Sequence, residues 1–323
     1  MISIIMPTYN ADATIYYSVR SILNQTYYDF ELLVLDDGST NETSKIINGI
    51  NDKRIRYHFL PHQGLTNTLN YGLTIAKYDL IARMDDDDLC LPWRFERQLK
   101  EIHNHPENVL LSSWYAIFDN NKIQYTVETP IESEKIKKGF LLHSYISHPG
   151  LMCYKKTLIE NGGYRNDVEI DAFQDYETWL KIKENVVFAV IPEVLLFQRF
   201  NSNSLSNNML YKQKIMYAIQ EPYYQDLEKY FKIKNKSEEN IYRGWREYFY
   251  GRKSKARVLW LKLGSSITMH PRIFIAFIVT FLPDQILSRF KESRMKFRLK
   301  YLLHYHSSQM RKLRDSLDVL LKG

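Results

Sequence analysis

Four consecutive aspartates, Asp85 to Asp88, are the residues of this chain whose type and spacing most clearly predict chemistry. They follow an apolar run that predicts a buried strand, and they precede Pro92, which can open a helix. In open α/β sheets, ligands bind at the edge where the strands end. Carboxylate oxygens suit Mg²⁺ or Mn²⁺, which pair one or two carboxylates with substrate phosphates. The segment therefore predicts a divalent metal site, and the alternative is a solvated acidic turn.

Polar residues also follow two other predicted strands. The segment Met6-Pro-Thr-Tyr-Asn10 ends the first strand, and Asp36 and Asp37 end the second. An acidic residue after the second strand is where nucleotide-binding α/β folds contact a ribose or base. A loop or an Asp-Gly turn is the alternative for each segment. The sequence has no G-x-G-x-x-G after the first strand and no P-loop motif, which argues against those two nucleotide sites.

Two later residues are candidates for proton transfer or ligand contact. Asp175 lies at a predicted helix start, where a carboxylate either caps the helix or serves as a general base. His148 lies in Ser147-His-Pro-Gly150, and its alternatives are a ligand contact and a structural histidine. Neither residue decides a function by itself.

The elements that must position these residues alternate between strand and helix in the first half of the chain. Apolar runs predict strands at 3–6, 30–35, 54–59 and 79–82, and apolar residues at helical spacing predict helices at 14–24, 40–50 and 64–76. Buried strands that alternate with helices are typical of a mainly parallel sheet with helices on both faces. The sequence therefore predicts an α/β fold.

The pattern changes in the second half of the chain. A hairpin is predicted around 115–128, and an apolar strand at 186–191 is predicted to end at Pro192. From about Met209 the sequence predicts only helices, including a long basic amphipathic helix whose apolar face runs from Met295 to Leu320. We therefore expect a catalytic domain over residues 1–208 and a helical basic region over residues 209–323.

Charge is distributed unevenly between these two regions. Residues 1–210 carry 20 Lys and Arg against 27 Asp and Glu, whereas residues 211–323 carry 24 against 10. The basic and apolar residues of 252–300 predict contact with an anionic membrane surface. Packing on the catalytic domain and a homo-oligomer interface are the alternatives. The chain has no nucleic-acid recognition motif, so we expect no nucleic-acid partner.

The compartment is predicted from cysteine content and from the N-terminal sequence. Cys90 and Cys153 are too few for a disulfide framework or a cysteine zinc site. The sequence shows no signal peptide, because a predicted strand begins at residue 3 and no longer apolar segment of the kind that a signal peptide requires is present there. We therefore expect a cytoplasmic protein.

Six motifs in a fixed order resemble the inverting family 2 glycosyltransferases, which have the GT-A fold. They are Pro7-Thr-Tyr-Asn10, Asn24-Gln-Thr26, Asp36-Asp-Gly-Ser39, Ala82-Arg-Met-Asp-Asp-Asp-Asp88, Gly162-Gly-Tyr-Arg165 and Gln174-Asp-Tyr-Glu-Thr-Trp179. The resemblance covers about residues 1–205. The basic C-terminal region is similar only to the variable helices of bacterial surface-polysaccharide members.

The resemblance implies a nucleotide pocket beside a metal site. Asp85 and Asp87 match the Asp-x-Asp element that binds Mn²⁺ or Mg²⁺ on the donor diphosphate, and Asp86 or Asp88 would support the ribose or a metal-bound water. Residues implied to bind the nucleotide are Pro7, Thr8, Tyr9, Asp36, Asp37 and Asp86, with Asp37 on the base.

The same resemblance implies the residues of the acceptor side. Asp175 matches the catalytic base, and Trp179 matches the aromatic residue that follows it. Gln174 departs from the family's Glu-Asp pair and leaves the role of that first carboxylate open. His148 is assigned with Trp179 to the acceptor side.

The implied activity is metal-dependent, inverting transfer of a sugar from a nucleotide sugar, expected to be a UDP-sugar. The expected acceptor is a hydroxyl of a growing cell-surface glycan of O-antigen, capsule or lipooligosaccharide type, carried on a lipid at the inner face of the cell membrane. One alternative is a sugar-phosphate nucleotidyltransferase, but the loop after the first strand has neither the glycine nor the basic residue such enzymes use. The other alternative is a non-catalytic glycan- or membrane-binding relative.

Overall fold

A computed structural model of the chain describes residues 1–140, 142, 144–165, 173–200, 209–225, 229, 233, 235–281 and 307–322. The chain forms two compact units. The first comprises Met1–Lys137, Ser144–Asn201 and Ser308–Gly323, and the second comprises Lys138–His143 and Ser202–Ser307. The predicted domains, 1–208 and 209–323, stay a prediction.

Strands and helices alternate through the first unit, and helices follow. The strands are β1 (Ile2–Thr8), β2 (Phe30–Asp36), β3 (Ile55–Phe59), β4 (Leu80–Arg83), β5 (Leu89–Cys90), β6 (Val109–Asp119), β7 (Lys122–Val127), β8 (Met152–Tyr154) and β9 (Val187–Arg199). The helices are α1 (Ile15–Leu23), α2 (Thr43–Asn48), α3 (Leu65–Ile75), α4 (Arg94–Ile102), α5 (Ser133–Gly139), α6 (Lys155–Glu160), α7 (Gln174–Ile182), α8 (Met209–Gln225), α9 (Lys236–Phe249), α10 (Lys253–Leu261), α11 (Pro271–Val279) and α12 (Ser307–Lys322).

One mixed sheet organises the first unit, in the order β3-β2-β1-β4-β8-β6-β9-β5, with β7 paired to β6. The four strands β3, β2, β1 and β4 run parallel, as do β6 and β9. The carboxyl ends of β1, β2 and β4 therefore lie at one edge of the sheet. This arrangement confirms the predicted α/β fold and brings the loops after these strands together.

Apolar residues on both faces of the central strands explain why this sheet forms. Every residue of β1 and β2 is buried, as expected for parallel strands that are covered on both sides. Ile4 and Val34 from the strands pack in one core with Ile22 of α1 and Phe95 of α4. The sheet edge that follows the strands is thus held by a continuous apolar core.

The prediction that the strand after residue 186 ends at Pro192 is wrong. β9 continues to Arg199 and stays parallel to β6 throughout. The pairing jumps from Ser113 with Ile191 to Trp114 with Val194, so Pro192 falls in an irregularity of the ladder. Proline has no N–H to donate, and a bulge is where a paired strand can accommodate it. The longer strand carries Arg199 towards the loop after β4.

Helix α12 forms the described part of the predicted C-terminal amphipathic helix. Its residues Leu317 and Leu320 are buried in a cluster with Leu89, Phe118 and Phe197 of the sheet. α12 therefore packs on the sheet of the first unit. Packing on the catalytic domain was one of the alternatives for the C-terminal helices. The rest of the predicted helix, from Met295 up to residue 306, lies outside the described residues.

The second unit has a small apolar core of its own. Trp260 of α10 and Ile273 of α11 are buried together, and Trp245 of α9 meets the Trp260 ring edge-on with centroids 5.0 Å apart. This core joins the three helices. None of the described helices has both the length and the apolar character that crossing a bilayer requires.

Candidate active site

The four aspartates of the sequence form a loop between β4 and β5, which we call the acidic loop (Asp85–Asp88). Carboxylate oxygens of Asp85, Asp87 and Asp88 all lie within 4.8 Å of one another. Three oxygens this close form a set of hard ligands that suits Mg²⁺ or Mn²⁺. The predicted pair Asp85 and Asp87 is thus brought together, with Asp88 as a third member, while the choice of ligands stays a prediction.

Two arginines from separate strands hold the acidic loop. Arg83, at the end of β4, is buried and its guanidinium pairs with the carboxylate of Asp85. Arg199, at the end of β9, donates from its backbone N–H to the Asp88 carboxylate at 2.9 Å and from Nε to the Asp87 carbonyl at 3.0 Å. The loop is therefore fixed by the sheet rather than left free in solvent.

Asp86 is turned towards the loop after β1 instead of the carboxylate cluster. Its carboxylate accepts a hydrogen bond from the backbone N–H of Tyr9 at 3.3 Å, and its carbonyl accepts one from the Ser18 hydroxyl at 2.8 Å. The acidic loop is thereby tied to the predicted nucleotide-binding segment.

Burial and mutual repulsion change the proton affinities of the acidic loop. Desolvation and, after it, the neighbouring charges of Asp85 and Asp86 raise the pKa of Asp87 to about 7. Burial likewise raises the pKa of Asp86 to about 6, and it raises the pKa of Asp88 well above the ordinary value. Clustered carboxylates that resist ionisation are stabilised by a bound cation, so this cluster fits a divalent metal.

The predicted nucleotide residues of β1 lie next to the acidic loop. Pro7 and Thr8 are buried at the end of the strand, and Tyr9 follows them with 48% of its surface exposed. The Tyr9 ring stacks on the His62 ring, with their centroids 4.5 Å apart. An exposed aromatic pair at this edge is a surface on which a planar base can stack.

The two aspartates after β2 have partners within the protein. The Asp36 carboxylate accepts hydrogen bonds from the Ser39 N–H and the Tyr57 hydroxyl, both at 2.7 Å. The Asp37 carboxylate accepts them from the N–H groups of Gln63 and Gly64, at 2.9 and 3.0 Å, ahead of α3. Both residues therefore fix the loops after β2 and β3, and their contact with a base or ribose stays a prediction.

Asp175 lies in the first turn of α7, as the sequence predicted. Burial raises the pKa of Asp175 to about 6, although the Tyr176 N–H and the charge of Arg83 oppose the rise. The charge of Asp85 raises this pKa as well, which puts Asp175 within the electrostatic range of the acidic loop. A carboxylate with a pKa near 6 is ionised at neutral pH and is a stronger base than an ordinary aspartate.

His148 and Trp179 lie together in a buried aromatic cluster with Tyr164. The His148 Nε2 atom is 2.9 Å from the Tyr164 hydroxyl, and the His148 and Trp179 ring centroids are 6.0 Å apart. Burial lowers the pKa of His148 well below its usual value, so this imidazole is neutral. Trp179 belongs to α7, so the cluster packs this helix against His148 and Tyr164. A direct contact of His148 or Trp179 with an acceptor stays a prediction.

Three residues of the site were not identified from the sequence: His62, Arg83 and Arg199. His62 follows β3, and a polar residue after a parallel strand was a usable signal. Arg83 is a charged residue in an otherwise apolar strand, which was a signal for a buried partner. Arg199 carried no signal, because its strand was predicted to end at Pro192.

Sequence comparison identifies the family to which this site belongs. Residues 3–163 match the family described as Glycosyl transferase family 2. The O-antigen biosynthesis glycosyltransferase WbnJ of Escherichia coli is 31% identical over 228 residues, which cover 68% of this chain and 88% of that protein. The chain belongs to glycosyl transferase family 2. The predicted enzyme class, an inverting glycosyltransferase, is confirmed.

Two further proteins are similar to this family 2 glycosyltransferase. The UDP-Glc:alpha-D-GlcNAc-diphosphoundecaprenol beta-1,3-glucosyltransferase WfgD of Escherichia coli is 29% identical over 224 residues, which cover 68% of this chain and 85% of that protein. The structure of S. aureus TarS 1-349 in complex with UDP-GlcNAc has a TM-score of 0.61 at 16% identity and covers 100% of this chain and 92% of that one. This structural likeness confirms the predicted GT-A fold.

Proposed function

We propose that this family 2 glycosyltransferase moves a sugar from a UDP-sugar to a hydroxyl of a growing bacterial cell-surface glycan. The observation that carries the proposal is the acidic loop, in which carboxylate oxygens of Asp85, Asp87 and Asp88 lie within 4.8 Å of one another. This cluster is suited to hold a metal and a diphosphate, and the charge of Asp85 acts on Asp175, the candidate for proton transfer. Transfer of a sugar from a nucleoside diphosphate to a hydroxyl needs both a group that accepts the hydroxyl proton and a site that holds the metal and the diphosphate.

Asp85 and Asp87 are the proposed ligands of a Mn²⁺ or Mg²⁺ ion, with Asp88 as the third carboxylate of the cluster. When bound, the ion would neutralise the charge that develops on the departing nucleoside diphosphate. Arg83 and Arg199 keep the acidic loop in place through the carboxylates of Asp85 and Asp88 and the backbone carbonyl of Asp87. Tyr9 and His62 are proposed to stack on the base of the nucleotide, and Asp37 is proposed to lie next to that base.

Asp175 is the proposed general base. Its carboxylate takes the proton of the acceptor hydroxyl as the hydroxyl oxygen forms a bond to the anomeric carbon. The bond from that carbon to the diphosphate oxygen breaks on the opposite face, and the diphosphate leaves with the bonding electron pair. One displacement inverts the configuration, so no covalent enzyme intermediate is required.

The relatives support the choice of donor and acceptor classes. WfgD is named for a UDP-Glc donor and a diphosphoundecaprenol-linked acceptor, WbnJ is named for O-antigen biosynthesis, and TarS binds UDP-GlcNAc. For this chain we propose a UDP-sugar donor and a lipid-linked acceptor glycan of O-antigen, capsule or lipooligosaccharide type. A lipid-linked acceptor would place the reaction at the cytoplasmic face of the membrane.

Calorimetry with a panel of donors tests the nucleotide and metal assignments. UDP, UDP-glucose, UDP-galactose, their N-acetylated forms and GDP-mannose are titrated with and without Mn²⁺. We expect Mn²⁺-dependent binding of uridine nucleotides by the wild type and no Mn²⁺ dependence in Asp85→Asn/Asp87→Asn. If the folded protein binds none of these nucleotides with metal present, the non-catalytic alternative replaces the proposal.

Asp175→Asn tests the base. A general base contributes about 10²–10⁴-fold to rate, so sugar transfer should fall by about that factor while donor affinity is kept. The matched control is Asp79→Asn, which removes a carboxylate whose side chain is 90% exposed and should leave transfer unchanged. Near-normal turnover of Asp175→Asn would exclude Asp175 as the base.

A further inference from the structure

Residues 252–281 of the second unit carry six basic residues and no Asp or Glu. The segment comprises α10, a short 3₁₀ helix at Gly264–Met269, and α11. Lys262 and Arg272 are exposed on it. A surface with this composition attracts anionic partners and repels cationic ones.

Helix α11 is apolar on its outward side as well as on its inward side. Ile273 and Ala276 are buried in the core of the unit, as amphipathic spacing requires. The opposite side exposes Phe274, Ile275 and Ile278, with 60% of Ile275 and 50% of Ile278 accessible. A helix that is apolar all round is normally covered on all sides, so this outward side indicates an apolar partner.

Exposed apolar residues also lie on α10 and just after α11. Val258 and Leu261 are exposed on α10, and Phe281 is exposed just after α11. The Arg257 guanidinium lies over the Phe281 ring at 4.6 Å and connects the two helices. We call this surface the α10–α11 face, which consists of Val258, Leu261, Phe274, Ile275, Ile278 and Phe281.

We propose that the α10–α11 face docks on an anionic lipid bilayer, with its apolar side chains entering the boundary between headgroups and acyl chains. Basic residues next to the face would contact the anionic headgroups. Two effects strengthen the binding of amphipathic helices to membranes. Apolar area is buried in the lipid, and each Lys or Arg near the surface is attracted to the anionic headgroups. The combination of exposed large apolar residues with the exposed cations Lys262 and Arg272 is what carries the proposal.

Other occupants fit these observations less well. A second copy of the chain would bring the same six positive charges to the interface and would repel the first. A nucleic acid would satisfy the charge but would leave six large apolar side chains in water. An anionic bilayer satisfies both requirements at once.

The proposal extends the proposed function, because membrane contact would bring the enzyme to a lipid-linked acceptor, but its test requires no sugar transfer. The full chain is co-sedimented with vesicles of phosphatidylcholine alone or mixed with phosphatidylglycerol. We expect binding to the mixed vesicles that weakens at high salt, and weak binding to pure phosphatidylcholine. Failure to bind either vesicle would overturn this inference while leaving the proposed transfer reaction intact.

Matched variants locate the surface. Ile275→Gln/Ile278→Gln should lower affinity for mixed vesicles at least about tenfold, since two half-exposed apolar side chains lose their burial in lipid. Ile159→Gln is the control, because Ile159 lies on α6 of the first unit and is 50% exposed, as Ile278 is. Equal loss of binding in the control would overturn the assignment to the α10–α11 face.

Charge reversal is the second, independent probe. Lys262→Glu/Arg272→Glu should weaken binding to mixed vesicles by at least about 25-fold, which is about fivefold for each positive charge removed. Lys53→Glu/Lys122→Glu changes the net charge equally at exposed positions of the first unit and should have a much smaller effect. If the α10–α11 variants instead dissolve a dimer seen by light scattering, and the wild type binds no vesicles, the face is a self-association surface and the proposal is wrong.

Discussion

The Tyr9 ring stacks on the His62 ring, with centroids 4.5 Å apart and planes 25° apart. The two residues come from the loops after β1 and β3, on either side of β2 in the sheet. The His62 Nδ1 atom lies 2.9 Å from a carboxylate oxygen of Asp37. The Asp37 carboxylate also accepts hydrogen bonds from the N–H groups of Gln63 and Gly64 and from the Thr68 hydroxyl of α3. The aromatic pair is thereby fixed to the sheet edge that also carries the acidic loop.

This stacking predicts that Tyr9 and His62 act together on the base of the donor. Tyr9→Ala and His62→Ala should each weaken UDP binding by about 5- to 150-fold, the range expected for the loss of stacking on a base. The double variant should lose less than the product of the two effects, because each ring positions the other. Calorimetric titration with UDP measures this, with Tyr28→Ala as a control at an exposed tyrosine. Fully independent effects would contradict a shared role.

The raised pKa of Asp175 predicts a loss of activity on the acidic side. Burial raises this pKa to about 6, and a general base must be ionised to accept a proton. kcat/KM should therefore fall about tenfold for each pH unit below about 6, provided that the metal is saturating at each pH. A rate profile from pH 5 to pH 8 measures this. A profile that stays flat through pH 5 would contradict Asp175 as the base.

The acidic loop predicts a metal effect on stability that depends on pH. The pKa of Asp87 is raised in the folded protein to about 7, so the folded state holds its proton more tightly than the unfolded state does. Stability without metal should therefore decline as pH rises from about 4 to about 7. Mn²⁺ binds the ionised carboxylates, so it should raise Tm more at pH 8 than at pH 6.

Thermal unfolding with and without Mn²⁺ at the two pH values measures this effect. The control variant is Asp85→Asn/Asp87→Asn, which removes both proposed ligands and should abolish the Mn²⁺ response. An equal rise in Tm in that variant would show that Mn²⁺ acts elsewhere on the protein.

The packing of α12 predicts that the C-terminal helix stabilises the catalytic unit. Leu317 is 1% exposed and lies in one cluster with Phe118 and Phe197, so Leu317→Ala should lower the free energy of unfolding by about 2–5 kcal/mol. Val319 on the same helix is 69% exposed, and Val319→Ala should change it by less than about 0.5 kcal/mol. Urea unfolding of both variants measures the difference. Similar stabilities would contradict the packing of α12 on the sheet.

The sequence by itself determined the alternation of strands and helices up to residue 82 and the position of the acidic loop. The local signals are the apolar runs in β1, β2 and β4 and the helical spacing of apolar residues in α1 and α3. The strands must be apolar because a parallel sheet is buried on both faces. Asp85 to Asp88 come directly after such a run, so their place at the end of a strand also followed from the sequence. The ordered motifs then identified the family, which the comparisons confirmed.

Only the tertiary structure decided which distant residues hold the site. Arg199 reaches Asp88 across 111 residues, because an irregular ladder lets β9 continue past Pro192. The contact between His62 and Tyr9 likewise depends on the order of the strands in the sheet. The packing of α12 depends on the C-terminal part of the chain folding back onto the sheet. The pKa of Asp175 depends on burial and on the charges of Arg83 and Asp85, which come from another part of the chain. Local patterns record the preferences of neighbouring residues, but they do not record the register and packing that bring separate segments into contact.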